Sequence, residues 1–277
     1  MNRITKFILM ACGILAIAGT KALAHISYSN RDFGTVDSTT YGSIDVSGVR
    51  SSTISGQTAS SLFGWADATD TDWGDSHRGR FFRFTLSGTG DVQITAQRND
   101  LLGTGTPGTL LPAFSLYSGL GQLSPEGAGY DSATLSRANR PVGTEGSLRA
   151  LSNWSIGNDP TYNTKGDLTS GVLIPARLAS FTYIGHAADG TSANFGNAAG
   201  IVGDGTADGF VTATFSGLAA GDYSLFVGGA NYALQTTENT TTTYGANVTI
   251  GLVPEPSTGS LLLGGAAFLA LVRRRKG

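Results

Sequence analysis

The feature that most constrains the fold is a series of short runs in which apolar and polar residues alternate. Residues 81–86 read FFRFTL and residues 92–96 read VQITA. A period of two is typical of β-strands that bury one face. The 40 glycines of the chain crowd the segments between such runs, where turns need them and long helices would not. The sequence therefore predicts an all-β fold.

The turn-rich segments between the runs suggest how the strands pair. Residues 87–91 (SGTGD) join the two runs above, and residues 218–222 (LAAGD) join a second pair. We interpret each pair as a β-hairpin. The last run, residues 243–252, places four apolar residues on one face: Tyr244, Ala246, Val248 and Ile250. Such pairs predict an antiparallel β-sandwich or jelly roll with long loops rich in Gly, Ser and Thr.

The N-terminus has the features of a cleavable signal helix. Arg3 and Lys6 precede an apolar stretch at residues 7–19, and Ala22 and Ala24 supply the small side chains that a signal peptidase admits. We predict cleavage after Ala24, so that residues 1–24 are the signal peptide. An uncleaved anchor is the alternative, but the apolar stretch is short for a membrane span.

The body at residues 25–252 is acidic and lacks cysteine. It carries 11 basic and 19 acidic residues, a formal charge of −8, and the one cysteine, Cys12, lies in the leader. An acidic body is a poor match for a phosphate backbone, so we expect no nucleic-acid partner. Without disulfides, its stability must come from burial of a core.

The C-terminal segment predicts a short transmembrane helix. Pro254 and Pro256 interrupt regular structure after the last strand, and residues 260–272 carry no charge. A helix over residues 258–272 would be about 22 Å long, short of the roughly 30 Å hydrocarbon core, so we expect transient insertion. Four basic residues follow and favour the cytoplasmic side: Arg273, Arg274, Arg275 and Lys276.

These parts together resemble a PEP-CTERM sorting signal. Its motif residues here are Val253, Pro254, Glu255, Pro256 and Ser257, followed by the apolar helix and the basic stop. The resemblance implies that the protein is exported by a Gram-negative bacterium that makes exopolysaccharide. It also implies an inner-membrane-tethered precursor, from which an integral membrane protease, exosortase, removes the helix. A plain tail anchor with a coincidental Pro-Glu-Pro triplet is the alternative.

Parts of the body resemble the bacterial prepeptidase C-terminal type of β-sandwich. The similar segments are FRFTLSGTGDVQITAQ, PAFSLYSG and LAAGDYSLFVGGANYAL. In that family a strand ends at an apolar-x-x-Gly-x-Tyr turn, and Tyr223 matches the tyrosine that begins the next strand. Residues 119–180 have no counterpart, so we interpret them as an insertion within one exported domain at residues 25–252.

An aspartate cluster is the first candidate metal site. Asp67, Asp70, Asp72 and Asp75 lie within nine residues, and carboxylates this close can supply oxygen ligands to Ca²⁺. The glycine and glutamate that an EF-hand loop requires at fixed positions are missing. A solvated acidic loop is the alternative. We therefore expect no cofactor, and Ca²⁺ at this loop is the alternative.

Three further residues are candidates for other ligands. Cleavage after Ala24 would give His25 a free α-amino group beside its imidazole, a pair that suits Cu(II). Copper-dependent polysaccharide oxygenases begin this way; a coincidental histidine is the alternative. Trp65 and Trp73 could stack on sugar rings if they were exposed, although tryptophan in a β-sandwich is more often part of the core.

Enzyme motifs are missing from the sequence. It contains neither a Gly-x-Ser-x-Gly nucleophile elbow nor a His-Glu-x-x-His motif. Residues 103–108 match a nucleotide-binding glycine pattern, but a proline and a strand-like run follow instead of a helix. The sequence thus favours a non-enzymatic surface or exopolysaccharide-matrix protein with a structural or adhesive role. The alternatives are a Ca²⁺- or glycan-binding module and a copper-dependent polysaccharide-acting enzyme.

Overall fold

The computed structural model describes residues 26–46, 48–66, 73–121, 147–157, 178–195, 200–234 and 241–254. These residues form β-strands and one 3-10 turn at Tyr232–Leu234, which confirms the all-β prediction. None of their helical turns is long and apolar enough to cross a bilayer. The predicted signal helix and C-terminal helix lie outside the described residues.

The strands are numbered in chain order. They are β1 (Asp32–Val36), β2 (Ser43–Ile44), β3 (Arg50–Ser60), β4 (Trp73–Asp75), β5 (Arg80–Leu86), β6 (Gly90–Gly103), β7 (Pro112–Ser118), β8 (Ser147–Arg149), β9 (Trp154–Gly157), β10 (Leu178–Ala188), β11 (Phe210–Leu218), β12 (Gly221–Gly229) and β13 (Thr243–Val253).

Two large sheets make up the sandwich. The six-stranded sheet has the order β1-β5-β12-β7-β10-β9, and the five-stranded sheet has the order β11-β6-β13-β3-β2. A small third sheet pairs β4 with β8. Neighbouring strands are antiparallel, except that β1 runs parallel to β5. The predicted antiparallel sandwich is therefore confirmed, with one parallel edge.

Both predicted hairpins are wrong. Strand β5 pairs with β1 and β12 in the six-stranded sheet, whereas β6 pairs with β11 and β13 in the five-stranded sheet. The turn between β5 and β6 therefore crosses from one sheet to the other, and the β11–β12 turn does the same. Phe84 and Ile94 face the same core from opposite sides. An arch between sheets and a hairpin within one sheet thus give the same alternation along the chain.

The core between the two sheets contains the apolar residues predicted from the alternation. Strand β13 buries its four predicted residues, and Val248 and Ile250 are completely inaccessible. Val248 and Ile250 pack in one cluster with Val92 and Ile94 of the neighbouring strand β6 and with residues of the facing sheet: Phe82, Phe84, Leu86, Phe114 and Leu116. Fully burying one such side chain contributes about 1.5–3 kcal/mol, so this core is the main source of stability between the sheets.

A second apolar layer covers the other face of the six-stranded sheet. Its aromatic members include Tyr28, Trp65, Tyr117, Trp154 and Phe226. Strand β7 is buried on both faces as a result, because Phe114 and Leu116 face the five-stranded sheet while Ser115 and Tyr117 face this layer. The described residues of the predicted insertion at 119–180 include β8 and β9. Strand β9 pairs with β10 of the six-stranded sheet, and β8 pairs with β4.

Two tryptophans in this layer differ in their hydrogen bonding. Trp65 Nε1 donates to Ser115 Oγ at 2.8 Å, and Ser115 Oγ donates to the Ala150 carbonyl at 2.6 Å. Trp154 is equally buried and stacks on Phe181 at 4.2 Å between ring centroids. Its indole N–H has no hydrogen-bond partner within the described residues. The same substitution should therefore cost more at Trp65 than at Trp154.

We expect Trp65→Phe to lower the free energy of unfolding by about 1 kcal/mol more than Trp154→Phe, because only the former loses a buried hydrogen bond. Both variants lose similar volume, so each serves as the other's control for cavity formation. Urea denaturation followed by far-UV circular dichroism measures the difference. Equal losses, or a larger loss for Trp154→Phe, would contradict the assignment of that hydrogen bond as stabilising.

Candidate functional site

The predicted sorting motif begins at the last residue of β13, a central strand of the five-stranded sheet. β13 lies between β6 and β3 and is hydrogen-bonded to both. Val253 is still paired with Asp91, and Pro254 is the first residue after the strand. Proline has no N–H with which to continue the ladder. The described residues end at Pro254, so Glu255, Pro256, Ser257 and the basic stop at residues 273–276 lie outside them.

An open pocket of about 510 Å³ lies beside this exit. Val253 and Pro254 line it together with Ile44 and Arg50. The guanidinium of Arg50 donates from Nε to the Ser38 carbonyl at 2.9 Å and from Nη1 to the Tyr41 carbonyl at 3.4 Å. Ile44 is 57% exposed. A protease that binds the triplet would therefore meet an apolar side chain and a fixed cation next to the chain's exit.

The N-terminal end of the body is anchored in the aromatic layer. Ala22, Ala24 and His25 lie outside the described residues, but Ile26 and Tyr28 are buried. The hydroxyl of Tyr28 lies 2.7 Å from Ser224 Oγ and accepts the Gly121 N–H at 3.1 Å. The predicted mature N-terminus, His25, is thus followed directly by the buried residue Ile26. The copper prediction at His25 stays a prediction.

Asp75 is the one described member of the predicted Ca²⁺ cluster. Its Oδ1 accepts the His77 N–H at 2.9 Å and lies 3.0 Å from His77 Nδ1, and its Oδ2 accepts Arg78 Nε at 3.0 Å. A Ca²⁺ ion at Asp75 would have to share the carboxylate with these partners or replace them. Within the described residues, no group of three or more His, Cys, Asp or Glu side chains could hold a metal ion. Asp67, Asp70 and Asp72 lie outside those residues, so the Ca²⁺ site stays a prediction.

The two candidate sugar-stacking residues are both buried. Trp65 is completely inaccessible and Trp73 is 3% exposed. The guanidinium carbon of Arg149 lies 4.1 Å from the centroid of the Trp73 ring and covers it. Neither indole offers a free face to a sugar ring in this structure. Stacking on Trp65 would require the aromatic layer to open, and stacking on Trp73 would require Arg149 to move.

A buried carboxyl that the sequence analysis did not select is Asp189, at the end of β10. It is completely inaccessible, and it accepts the Asp208 N–H at 3.1 Å and the Gly209 N–H at 2.7 Å. Burial raises its pKa to about 6; the two N–H groups partly offset this effect, and the nearby carboxylates of Asp204 and Asp208 add to it. The three Asp-Gly steps of this region are the sequence signal that could have identified it.

His186 is the second titratable group that was not selected. Its Nδ1 lies 2.6 Å from the Tyr183 hydroxyl, and its Nε2 accepts the Val202 N–H at 3.3 Å. Because Nε2 accepts, a neutral ring carries its proton on Nδ1. Burial lowers the pKa of His186, which favours this neutral form. The imidazole also packs against Trp65 at 5.5 Å between ring centroids. Its contacts therefore join β10 to the loop before β11.

Comparison with known proteins identifies the C-terminal segment. The family model described as the PEP-CTERM protein-sorting motif matches residues 252–276. This motif supports an exported protein that is sorted to the cell surface. More specifically, the chain carries a PEP-CTERM motif, as the residues from Val253 onward predicted. The resemblance of the body to prepeptidase C-terminal domains is not confirmed.

Two solved structures are similar at a distance. One is CorA, a surface-associated copper-binding protein of Methylomicrobium album BG8, with 16% identity, a TM-score of 0.46, and coverage of 76% of this chain and 96% of that chain. The other is MopE, a secreted protein of Methylococcus capsulatus, with 17% identity, a TM-score of 0.42, and coverage of 79% and 86%. Neither likeness indicates what this chain binds. No curated protein gives a significant match.

The buried carboxyl of Asp189 should make stability depend on pH. Its folded pKa of about 6 lies above its ordinary value of 3.8, so between these values the folded state binds more protons than the unfolded state. The free energy of unfolding should therefore fall as the pH rises from about 4 to about 6. Asp189→Asn cannot titrate and should abolish this fall, as measured by urea denaturation at a series of pH values.

Asp100→Asn is the control for this prediction. The Gly108 N–H, bonded to the carboxylate at 2.8 Å, lowers the pKa of Asp100. The Asp100 carboxylate therefore stabilises the fold above its ordinary pKa of 3.8, and this stabilisation is lost only as the pH falls below that value. That range lies outside the interval of about pH 4 to 6 in which Asp189 titrates. The control variant should therefore keep the fall between about pH 4 and 6. An unchanged pH profile in Asp189→Asn would contradict the role assigned to this buried carboxyl.

Proposed function

We propose that the protein is a structural or adhesive component of the cell surface or the exopolysaccharide matrix of a Gram-negative bacterium. Its precursor is held at the inner membrane by the C-terminal helix, and an exosortase-type protease removes that helix. The observation that carries this proposal is the PEP-CTERM motif at residues 252–276, which begins inside β13. Signal peptidase and exosortase are thus its processing partners, and exopolysaccharide is its matrix partner.

The geometry of the exit suits a tethered precursor that is later released. The predicted C-terminal helix begins at Thr258, four residues after Pro254, a distance of at most roughly 14 Å for an extended chain. The body is therefore held close to the bilayer before processing. The buried residues of β13 end before Pro254. Cleavage beyond Pro254 would remove no described core contact, so the sandwich remains complete.

A non-enzymatic role is part of this proposal. The described histidines are engaged with neighbours: His77 with Asp75, and His186 with Tyr183 and Val202. The buried Asp189 accepts two backbone N–H groups at the base of a loop. These contacts hold loops in place and support structural roles for all three residues.

Replacing the triplet should block processing. We expect the variant Pro254→Ala, Glu255→Ala, Pro256→Ala to remain in the inner membrane with its C-terminal helix, because the protease no longer recognises it. The wild-type chain should appear at the cell surface without residues 260–277. Mass spectrometry of the C-terminal peptide from each cell fraction measures this.

Pro107→Ala, in the loop before β7, is the matched control for proline removal and should be processed like the wild type. Intact basic tails in all surface copies of the wild-type protein would contradict the sorting proposal. So would normal processing of the triple variant.

The processed protein should leave exopolysaccharide intact. We expect no change in polymer chain length when the protein purified from the cell surface is incubated with its host's exopolysaccharide, because a structural protein binds without cleaving. Light scattering after size-exclusion chromatography measures chain length, and inclusion of Ca²⁺, or of Cu(II) with a reductant, tests the metal-dependent alternatives. Shorter chains in any of these incubations would contradict the non-enzymatic role.

A further inference from the structure

The outer face of the five-stranded sheet is a polar surface that no motif in the sequence identified. On β6, Val92, Ile94 and Ala96 are buried in the core, so the residues between them lie on the opposite face. The same alternation places residues of β11, β13 and β3 beside them. We call the polar part of this surface the outer polar face, and its members are Ser51, Thr53, Gln93, Thr95, Gln97, Thr212, Thr214, Asn247 and Thr249. Phe210 of β11 lies at its edge, opposite Gln97, and is 42% exposed.

A row of four threonines crosses this face. The ladder registers pair Thr212 with Thr95, Thr95 with Thr249, and Thr249 with Thr53. At about 4.8 Å between neighbouring strands, the row extends roughly 14 Å. It therefore presents a line of hydroxyl and methyl groups on four adjacent hydrogen-bonded strands, of which β11 is the edge strand.

Hydrogen bonds hold these hydroxyls in place. Thr53 Oγ1 and Thr249 Oγ1 are 2.7 Å apart, and Thr95 Oγ1 and Thr212 Oγ1 are 3.0 Å apart. Asn99 Nδ2 donates to Asn247 Oδ1 at 3.1 Å on the same face. A hydroxyl has one donor and two acceptor positions, so each threonine pair keeps acceptor capacity toward solvent. Because these side chains are already ordered, ligand binding would cost less side-chain conformational entropy.

The two sheets differ in what covers their outer faces. The aromatic layer around Trp65 and Tyr117 covers the six-stranded sheet. On the outer polar face, Thr53, Gln97, Thr212 and Thr214 are exposed and the central residues are half-buried. This face therefore remains open to a ligand.

The charge of the outer polar face indicates which class of ligand it can bind. None of its nine residues is charged, whereas the body has a formal charge of −8. Asp91 and Asp100, also on β6, add negative charge at the ends of the face. A polyanion would be repelled and would find no cation among the nine residues. A neutral polyhydroxylated chain can donate to and accept from the hydroxyl and amide groups, and its C–H groups can contact the threonine methyls.

We propose that the outer polar face binds a neutral polysaccharide, which lies across the strands along the threonine row. This inference rests on the proposed function, because it names the surface and the class of polymer through which a matrix protein would adhere. The buried Trp65 and Trp73 take no part in it.

The test compares polysaccharide binding by the full-length chain and its variants. The chain is purified in a zwitterionic detergent without a sugar headgroup, which would otherwise compete. Its co-sedimentation with three neutral probes, amorphous cellulose, insoluble mannan and cross-linked dextran, is compared with binding to alginate, an anionic probe. We expect binding to at least one neutral probe and none to alginate.

The decisive variant is Thr53→Val, Thr95→Val, Thr212→Val, Thr249→Val. Valine keeps the β-branched shape and strand preference but removes the hydroxyls, so the dissociation constant for the neutral probe should rise at least tenfold. The control Thr35→Val, Thr182→Val changes exposed residues of the six-stranded sheet and should bind like the wild type. If the quadruple variant does not fold, Thr214→Glu adds bulk and charge at one exposed position of the face and should also weaken binding.

Three results would overturn the inference. They are unchanged binding by every folded variant of the face, binding of the wild type to alginate alone, and a dimer that the valine variant abolishes while the wild type binds no neutral probe. Tail processing and surface display of the valine variant in cells separate this inference from the proposed function. Normal display with lost binding supports both, whereas normal display with unchanged binding overturns the binding face alone. Absence of the wild-type protein from the cell surface would refute the proposed function instead.

Discussion

The fold depends on the burial of the six-stranded sheet on both of its faces. Strand β7 shows this most clearly, since Phe114 and Leu116 pack toward the five-stranded sheet while Ser115 and Tyr117 pack into the aromatic layer. The one cysteine lies in the leader, so no disulfide can supplement this burial after cleavage. Polar groups buried in the aromatic layer cost stability unless they are hydrogen-bonded, and the hydrogen bonds from Trp65 through Ser115 to the Ala150 carbonyl satisfy two of them.

The double burial of one sheet gives the two sheets different roles. The six-stranded sheet and its aromatic layer bury large apolar side chains, including Trp65, one of the two tryptophans that the sequence offered for sugar stacking. The other, Trp73, is buried beneath the guanidinium of Arg149. The five-stranded sheet buries one face and leaves the other to solvent, as antiparallel sheets commonly do. Its open face consists mainly of threonine, serine and amide side chains, with Phe210 exposed at the edge. The nine residues of the outer polar face are uncharged, so they offer a ligand hydrogen bonds along the threonine row.

The sequence predicted local structure better than long-range pairing. Alternation located the strands around Phe84, Ile94 and Val248, because side-chain burial on a strand is a local property. It could not distinguish a hairpin from an arch, because residues that face one core from two sheets alternate in the same way as residues of one sheet. The burial of Asp189 depends on its contacts with Gly209, 20 residues away, which no local pattern reveals. The sorting motif was predictable because its parts are contiguous in the chain.

The position of β13 connects the sorting route with the open face. This strand contributes Asn247 and Thr249 to the outer polar face and then continues, through Val253 and Pro254, into the sorting motif. In the proposed membrane-held precursor, the short segment after Pro254 would limit how far that face can move from the bilayer. Removal of the helix would lift this restriction without disturbing the ladders on either side of β13. Removal of the C-terminal helix would thus let the outer polar face contact polymers farther from the bilayer without a change in its structure.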